Sequence, residues 1–367
     1  MKVDLAVVGA SFAGLACARA AALGGLRVAV IEKKATAGEK LHTTGLVVKD
    51  AVDSVAWLRE VPAALVRRID GVRLYAPNLR HVDLAAPGYY FWATDAPALM
   101  DWMVESVRAC GVDVRLERLF TEARRAGGEW RIPFASGEEI AARYLVGADG
   151  PRSRVAQVLG LSRNTEFLFG IEHEYAEAAL APDLLHCFID AKLAPGYIAW
   201  AFAGVRAAQV GLARRSSGMR AGAVDLAPFL HKVRGHVTCE GRASSVRAGL
   251  IPCGGLLARV ACPGALLVGD AAGMVSPVTA GGIHTALWHG ERVGDAVAAH
   301  LCGAADDPAG WLARAYPRFR AKRVLRTLYD RFQNDWIFDR LLATAAMRRA
   351  AQLVFFHRKA GVDRRVA

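Results

Sequence analysis

Three stretches of this 367-residue chain place glycines and a carboxylate where an apolar run ends. Gly9-Ala10-Ser11-Phe12-Ala13-Gly14 follows the run 3–8, and Glu32 closes a second run, 26–31. Gly147-Ala148-Asp149-Gly150 follows 144–146. Gly269-Asp270 follows 265–268 and leads through Gly281-Gly282 to a helical stretch starting at Ile283. These ends suit nucleotide binding. Gly9 permits a tight turn off a strand, and Gly14 lets a helix pack close to it. The helix start offers free N–H groups and a partial positive charge to a pyrophosphate. Glu32 lies where it can accept hydrogen bonds from a ribose, which disfavours a 2′-phosphate and favours FAD or NAD over NADP. Ser11 stands where the second glycine of such a fingerprint usually lies; its hydroxyl is small and can donate to phosphate. Each motif has a plainer reading as well. The first fits any strand–helix turn, and Asp149-Gly150 fits a β-turn.

The elements needed to position these residues can be read off the pattern. Strand 3–8, an alanine-rich helix over 15–23 and strand 26–31 form a βαβ unit. The Lys-, Thr- and Gly-rich loop 33–50 would pass over the cofactor, where Lys40, His42, Thr43 and Thr44 could face it. The spacing of Val52, Val55, Leu58, Val61 and Leu65 predicts a helix over 51–68. Strands follow within 72–84, then the ring cluster Tyr89-Tyr90-Phe91-Trp92, split between core and pocket wall. A helix is expected over 98–110, a strand over 112–116 and a hairpin over 129–134 and 138–142. From 165 to 215 strict alternation replaces the helical period, so this region is mostly β. A short helix over 228–234 and a strand over 247–252 precede the third motif. A long helix spans 283–301, and 311–365 reads as amphipathic and basic helix.

Composition narrows the class. A hydrophobic content of 53% is ample for a sizeable core. The seven cysteines are scattered with no C-x-x-C, which points to a reduced, cytoplasmic setting and to no metal site. The N-terminus reads as a strand, not a signal peptide, and no apolar run is long enough to span a bilayer. The net charge of +12 is concentrated late, from Arg314 to Arg331 and from Arg348 to Arg365. With no recognition motif beside it, the charge does not indicate nucleic acid. It fits a solvated face or peripheral contact with an anionic membrane.

The three motifs together resemble those of the flavoprotein class that includes para-hydroxybenzoate hydroxylase, and within it the geranylgeranyl reductase family, over roughly residues 1–300. The resemblance implies an α/β fold: a Rossmann-like FAD-binding domain (1–75, 97–160 and 255–300) with an inserted antiparallel β-sheet substrate domain (76–96 and 161–254) and a basic helical C-terminus (301–367). It implies that Gly9, Ser11 and Gly14 hold the FAD pyrophosphate and Glu32 the adenosine ribose. Asp149 would lie near the pyrophosphate and the approach path of NAD(P)H, the transient electron donor. Asp270 would bind the ribityl chain, and Gly281, Gly282 and Ile283 would lie at the pyrimidine edge of the flavin. Phe12, Ala13, Lys33, Lys40 and Gly269 complete the cofactor set.

Pro195-Gly196-Tyr197-Ile198-Ala199-Trp200-Ala201-Phe202 is similar to the family's Tyr-x-x-Trp-x-Phe motif, and Gly249-Leu250-Ile251-Pro252 to another family segment. Tyr197, Trp200 and Phe202, with Phe91 and Trp92, would line an apolar pocket, or serve as core. His42, Thr43 and Tyr197 are the candidates for substrate orientation or proton supply. The family often has a cysteine followed by glycines where this chain has His42-Thr43-Thr44-Gly45. The function implied is reduction of carbon–carbon double bonds in an apolar, isoprenoid-type small molecule. An FAD monooxygenase, or less readily a halogenase, acting on an aromatic or polyketide-like molecule shares every cofactor motif. A prenyl-binding carrier without flavin chemistry would not need all three.

Overall fold

The computed structural model describes residues 1–216 and 224–356. They form two compact units, each assembled from three stretches of chain. The first takes Met1–Glu39, Pro97–Glu166 and Ile251–Arg323; the second takes Lys40–Ala96, Phe167–Leu250 and the residues from Val324 onward.

The first unit is built on a mainly parallel sheet. Its strands lie in the order Ala265–Leu267, Glu139–Gly147, Lys2–Val8, Val28–Ile31 and Asp113–Arg115, all parallel. Antiparallel additions, Ala261–Cys262 at one edge and Glu129–Pro133 with Arg124–Ala126, complete it. Strands Lys2–Val8 and Val28–Ile31 are almost wholly buried apolar side chains, as expected of strands covered on both faces. Helix Phe12–Leu23 packs against helix Ile283–Leu301 at very short range. A Cβ on Gly290 would sit 2.4 Å from the Ala13 carbonyl oxygen, and one on Gly294 would sit 2.4 Å from that of Cys17. Only glycine on one helix and alanine or cysteine on the other allows this approach. Because Ala13 faces Gly290 and Cys17 faces Gly294, the two helices run in the same direction.

The second unit carries a seven-stranded sheet in the order Ser245–Pro252, Phe167–Tyr175, Ala208–Ser216, Ala199–Ala203, Leu184–Phe188, Gly71–Tyr75 and His81–Leu84. One face packs on helix Ala227–Val233 through Ile171, Phe188, Ala199, Ala201, Val210 and Leu212. A three-stranded sheet orders Leu46–Val48, Phe91–Thr94 and Val66–Ile69. Four helices close the described chain: Pro308–Ala315, which belongs to the first unit, then Arg320–Phe332, Asp335–Leu341 and Ala345–Phe356.

Three expectations are corrected. The helix over 51–68 is instead a short helix, Lys49–Ser54, two 3-10 turns and the strand Val66–Ile69. Pro62 cannot donate a helical hydrogen bond, and Val66 is needed in the sheet opposite Thr94. The boundary expected at 75/76 falls at 39/40, because strands of the 40–75 segment pair with Phe91–Thr94 and Leu184–Phe188 of the second unit. The inserted sheet is antiparallel except for one parallel pairing, Leu184–Phe188 with Gly71–Tyr75. The basic residues from Arg358 to Arg365 lie outside the described residues.

Candidate active site

Four strand ends of the first unit share one rung. Ile31 pairs with Val8, Val8 with Gly147, and Gly147 with Leu267. The residues just beyond them are Glu32, Gly9, Ala148-Asp149 and Gly269-Asp270. Register alone therefore gathers the separate motifs at the carboxyl edge of the sheet, where ligands of open parallel sheets bind.

Gly9 has φ +106°, and a Cβ on it would lie 2.4 Å from the Ala148 carbonyl oxygen; one on Gly14 would lie 2.1 Å from that of Gly9. Neither position admits a side chain. Ser11 closes the turn through its side chain. Its Oγ donates to the Ala148 carbonyl (3.0 Å) and accepts from the Gly14 amide (3.2 Å), so its one hydrogen is committed to the turn and it caps the helix. The amides of Ser11, Phe12 and Ala13 have no protein partner among the described residues. The Glu32 carboxylate accepts from the amides of Ala10 (2.9 Å) and Lys34 (3.0 Å), which fixes it at the strand end. Lys33 is exposed; the lysine turned inward is Lys34, whose Nζ donates to the carbonyls of Ala37 and Glu39. Lys40 falls in the second unit, with φ +46°.

The two aspartates differ. Asp149 accepts from Ser153 Oγ (2.6 Å) and from the amides of Arg154 (2.6 Å) and Val155 (3.0 Å). Its carboxylate is occupied by its own turn, as the β-turn reading has it. No donor or cation among the described residues reaches the Asp270 carboxylate, and burial pushes its pKa up to about 6. Asn164, which lies in none of the three motifs, bridges the second and third by donating to the carbonyls of Pro151 (3.1 Å) and Asp270 (2.9 Å).

Beside Asp270 begins helix Ile283–Leu301. No side chain caps it at Gly282, where a Cβ would approach Asp270 Oδ1 to 3.6 Å. The amides of Gly282 and Ile283 have no partner among the described residues, whereas that of Gly281 meets Thr279 Oγ1 at 3.4 Å. Ile283 lies seven residues ahead of Gly290, which is level with Ala13. The two parallel helices thus present their N-termini to the same side, about 10 Å apart along the axis. An unpartnered carboxylate between two sets of free amides fits one extended ligand bearing anionic groups and hydroxyls, and FAD is such a ligand. Residues 2–328 match the family model described as the FAD binding domain. The chain belongs to this family of flavoproteins.

It is also 31% identical over 343 residues to digeranylgeranylglycerophospholipid reductase 2 of Methanopyrus kandleri, across 87% of this chain and 82% of that one. This makes the flavoprotein a member of the geranylgeranyl reductase family and an FAD-dependent oxidoreductase. A solved geranylgeranyl bacteriochlorophyll reductase-like protein of Thermoplasma acidophilum has the same fold, with a TM-score of 0.83, 18% identity and coverage of 98% of this chain and 97% of that one. So does a flavin-dependent brominase, with a TM-score of 0.74, 13% identity and coverage of 97% and 93%.

In the second unit the flavoprotein builds a buried polar cluster under the 42–45 loop. Trp200 lies over Gly211, where a Cβ would be 2.6 Å from the indole, and its Nε1 donates to Glu172 Oε2 (2.8 Å). Arg247 lies 3.7 Å from Glu172, pairs with Glu174, and donates to the Thr43 carbonyl (3.1 Å). With its amide oriented to satisfy its neighbours, Gln209 donates to the Thr44 carbonyl (2.9 Å) and to Glu172 Oε1 (3.2 Å). Glu172 is 4% exposed, and burial raises its pKa to about 7 against the opposing pull of Arg247 and Trp200. The Gly45 carbonyl accepts from Thr94 Oγ1 (2.8 Å), and the His42 ring occupies the space left by the missing side chain of Gly249.

Of the expected pocket residues, Phe202 is 0% exposed and Phe91 meets Tyr89 edge-to-face and Phe356 at a tilt. Both are buried; Phe202 shares its face of the strand with Trp200, opposite Ala199 and Ala201, which pack on helix Ala227–Val233. Trp200 is buried too, and Trp92 and Tyr197 remain partly open. The Tyr197 carbonyl accepts from the Tyr329 hydroxyl (3.0 Å), and burial raises its phenol pKa. Glu172, Gln209 and Arg247 carry no local signature; strand pairing brings them together from distant parts of the chain.

Proposed function

We propose that this protein reduces carbon–carbon double bonds of an apolar isoprenoid substrate, with NAD(P)H as the donor that replenishes its FAD. The observation that carries the reading is the 31% identity to a named reductase across both units; the likeness to the brominase lies in the fold. Bound FAD supplies hydride equivalents, so the net change at each double bond is the gain of two hydrogens. The chain's own part is to hold and to tune. Asp270, lacking a protein partner, accepts hydrogen bonds from cofactor hydroxyls. The free amides of Gly282 and Ile283 and the partial positive charge of their helix stabilise negative charge developing beside them. Glu172, Arg247 and Gln209 fix the carbonyls of Thr43 and Thr44, which holds the 42–45 segment in one conformation.

Anaerobic incubation of dithionite-reduced holoenzyme with geranylgeranyl lipids tests the reading. Mass spectrometry should show a gain of two hydrogens per double bond. Unchanged lipids, with substrate-coupled oxygen uptake when NAD(P)H and air are supplied, would instead identify a monooxygenase.

A further inference from the structure

Helix Arg320–Phe332 is turned inside out relative to an ordinary surface helix. An amphipathic helix on a folded domain buries its apolar row and exposes its charges. Here Val324, Leu325, Leu328 and Phe332, spaced along one face, point to solvent; Val324 is 61% and Phe332 62% exposed. The opposite face holds the part of the helix from Val324 onward to the second unit by polar bonds. Arg326, buried, pairs with Asp330 (2.9 Å), and Asp330 also pairs with Arg215 (3.2 Å). Tyr329 donates to the Tyr197 carbonyl, and Gln333 Oε1 accepts from the Gly196 amide (2.6 Å).

Charge is sorted in the same sense. The acids between Tyr316 and Phe356 are Asp330, Asp335 and Asp339, and each is turned toward the protein. Asp335 accepts from the Ala191 amide (2.7 Å) and Asp339 from the Asn78 amide (2.8 Å). Apart from Arg326 and the half-buried Lys322, the cations of this stretch remain outside. Arg320 and Arg331 flank the apolar row, and with Arg348 and Arg349 they are exposed and meet no carboxylate among the described residues. Trp336, 60% exposed, carries the Arg340 guanidinium over its ring at 4.4 Å. No helix among the described residues is long and apolar enough to cross a membrane.

Acids inward, apolar side chains outward and unpaired arginines beside them are complementary to one kind of surface: a bilayer with anionic headgroups. We propose that helix Arg320–Phe332, with Trp336, docks this protein peripherally on an anionic membrane. The apolar row enters the boundary between headgroups and acyl chains, and Arg320 and Arg331 bind lipid phosphates. A second copy of the chain would cover the apolar row but would bring the same arginines against each other. The proposal does not depend on the reductase reading, because it is read by binding.

The test is flotation of the FAD-loaded protein with vesicles of phosphatidylcholine alone or with about a third phosphatidylglycerol, at low and high salt. The anionic vesicles should bind it, and added salt should weaken binding by about tenfold. Two double variants, L328D/F332D and R320E/R331E, should each lose about tenfold or more while keeping their flavin spectrum. The proposal is overturned if the wild-type protein does not float with anionic vesicles, or if both variants float as it does. It is equally overturned if L328D/F332D abolishes a concentration-dependent dimer without changing vesicle binding.

Discussion

In its proposed role, Asp270 sets cofactor binding against stability. A carboxyl whose folded pKa is raised favours the folded state at low pH, and that contribution is lost as pH rises through the folded value. For Asp270 the window runs from its ordinary 3.8 to about 6. Asp270→Asn should therefore raise the Tm of the apoprotein at neutral pH, by about 1–2 kcal/mol of stability, while weakening FAD binding by about tenfold or more. Thermal melts and fluorescence titration measure the two effects separately. Glu172 follows the same sign, from 4.5 to about 7. The wild-type protein should thus lose stability relative to Glu172→Gln between pH 5 and pH 8, by about 2–3 kcal/mol. His289 has the opposite sign. It is buried with both ring nitrogens unpartnered, and burial lowers its pKa from 6.5 to about 4. His289→Leu should raise the Tm by about 2–4 °C, and its advantage should grow as pH falls from 6.5 to 4. Asp270 was legible in the sequence because a glycine-flanked acid ends an apolar run. Glu172 was not: alternation with Ile171 and His173 reads as an ordinary strand, and its partner Arg247 lies on a strand 75 residues away.

At the scale of elements, the pair of parallel helices positions the candidate cofactor residues. Gly290 and Gly294 let helix Ile283–Leu301 lie against Phe12–Leu23, so a side chain at either glycine must push the two N-termini apart. Gly294→Leu should cost about 3 kcal/mol and reduce FAD content in the purified protein, measured by absorbance against protein concentration. A leucine at Gly310, which has open space around it, should leave the flavin content unchanged. The helix Ile283–Leu301 was legible from its long unbroken pattern and the glycine pair before it. The region 51–68 was misread because buried residues at helical spacing also arise when a short helix, two turns and a strand each bury one side. The Arg320–Phe332 helix was legible as amphipathic and basic, but which face would turn inward is decided by Arg215, Gly196 and Tyr197, far away in the chain.

At the scale of the molecule, one unit gathers the candidate FAD residues at the end of a parallel sheet, and the other carries Trp200, the buried Glu172 cluster and the 42–45 segment. The strands and turns of the first were legible in the sequence, since its motifs are local and strand register aligns them. The sequence yielded the strands of the second but not which aromatic side chains are core. Phe202 shows why: one residue of a strand reveals its face only once the partner strands are known. The account stands on the claim that electrons pass from FAD to an alkene. The most direct measurement is stopped-flow absorbance of the reduced holoenzyme mixed with a geranylgeranyl lipid in the absence of oxygen. Recovery of the oxidised flavin band, at a rate that rises with lipid and in step with saturation of the lipid, is the predicted result. A flavin that stays reduced with every such lipid, and is reoxidised only when oxygen is admitted, would contradict it.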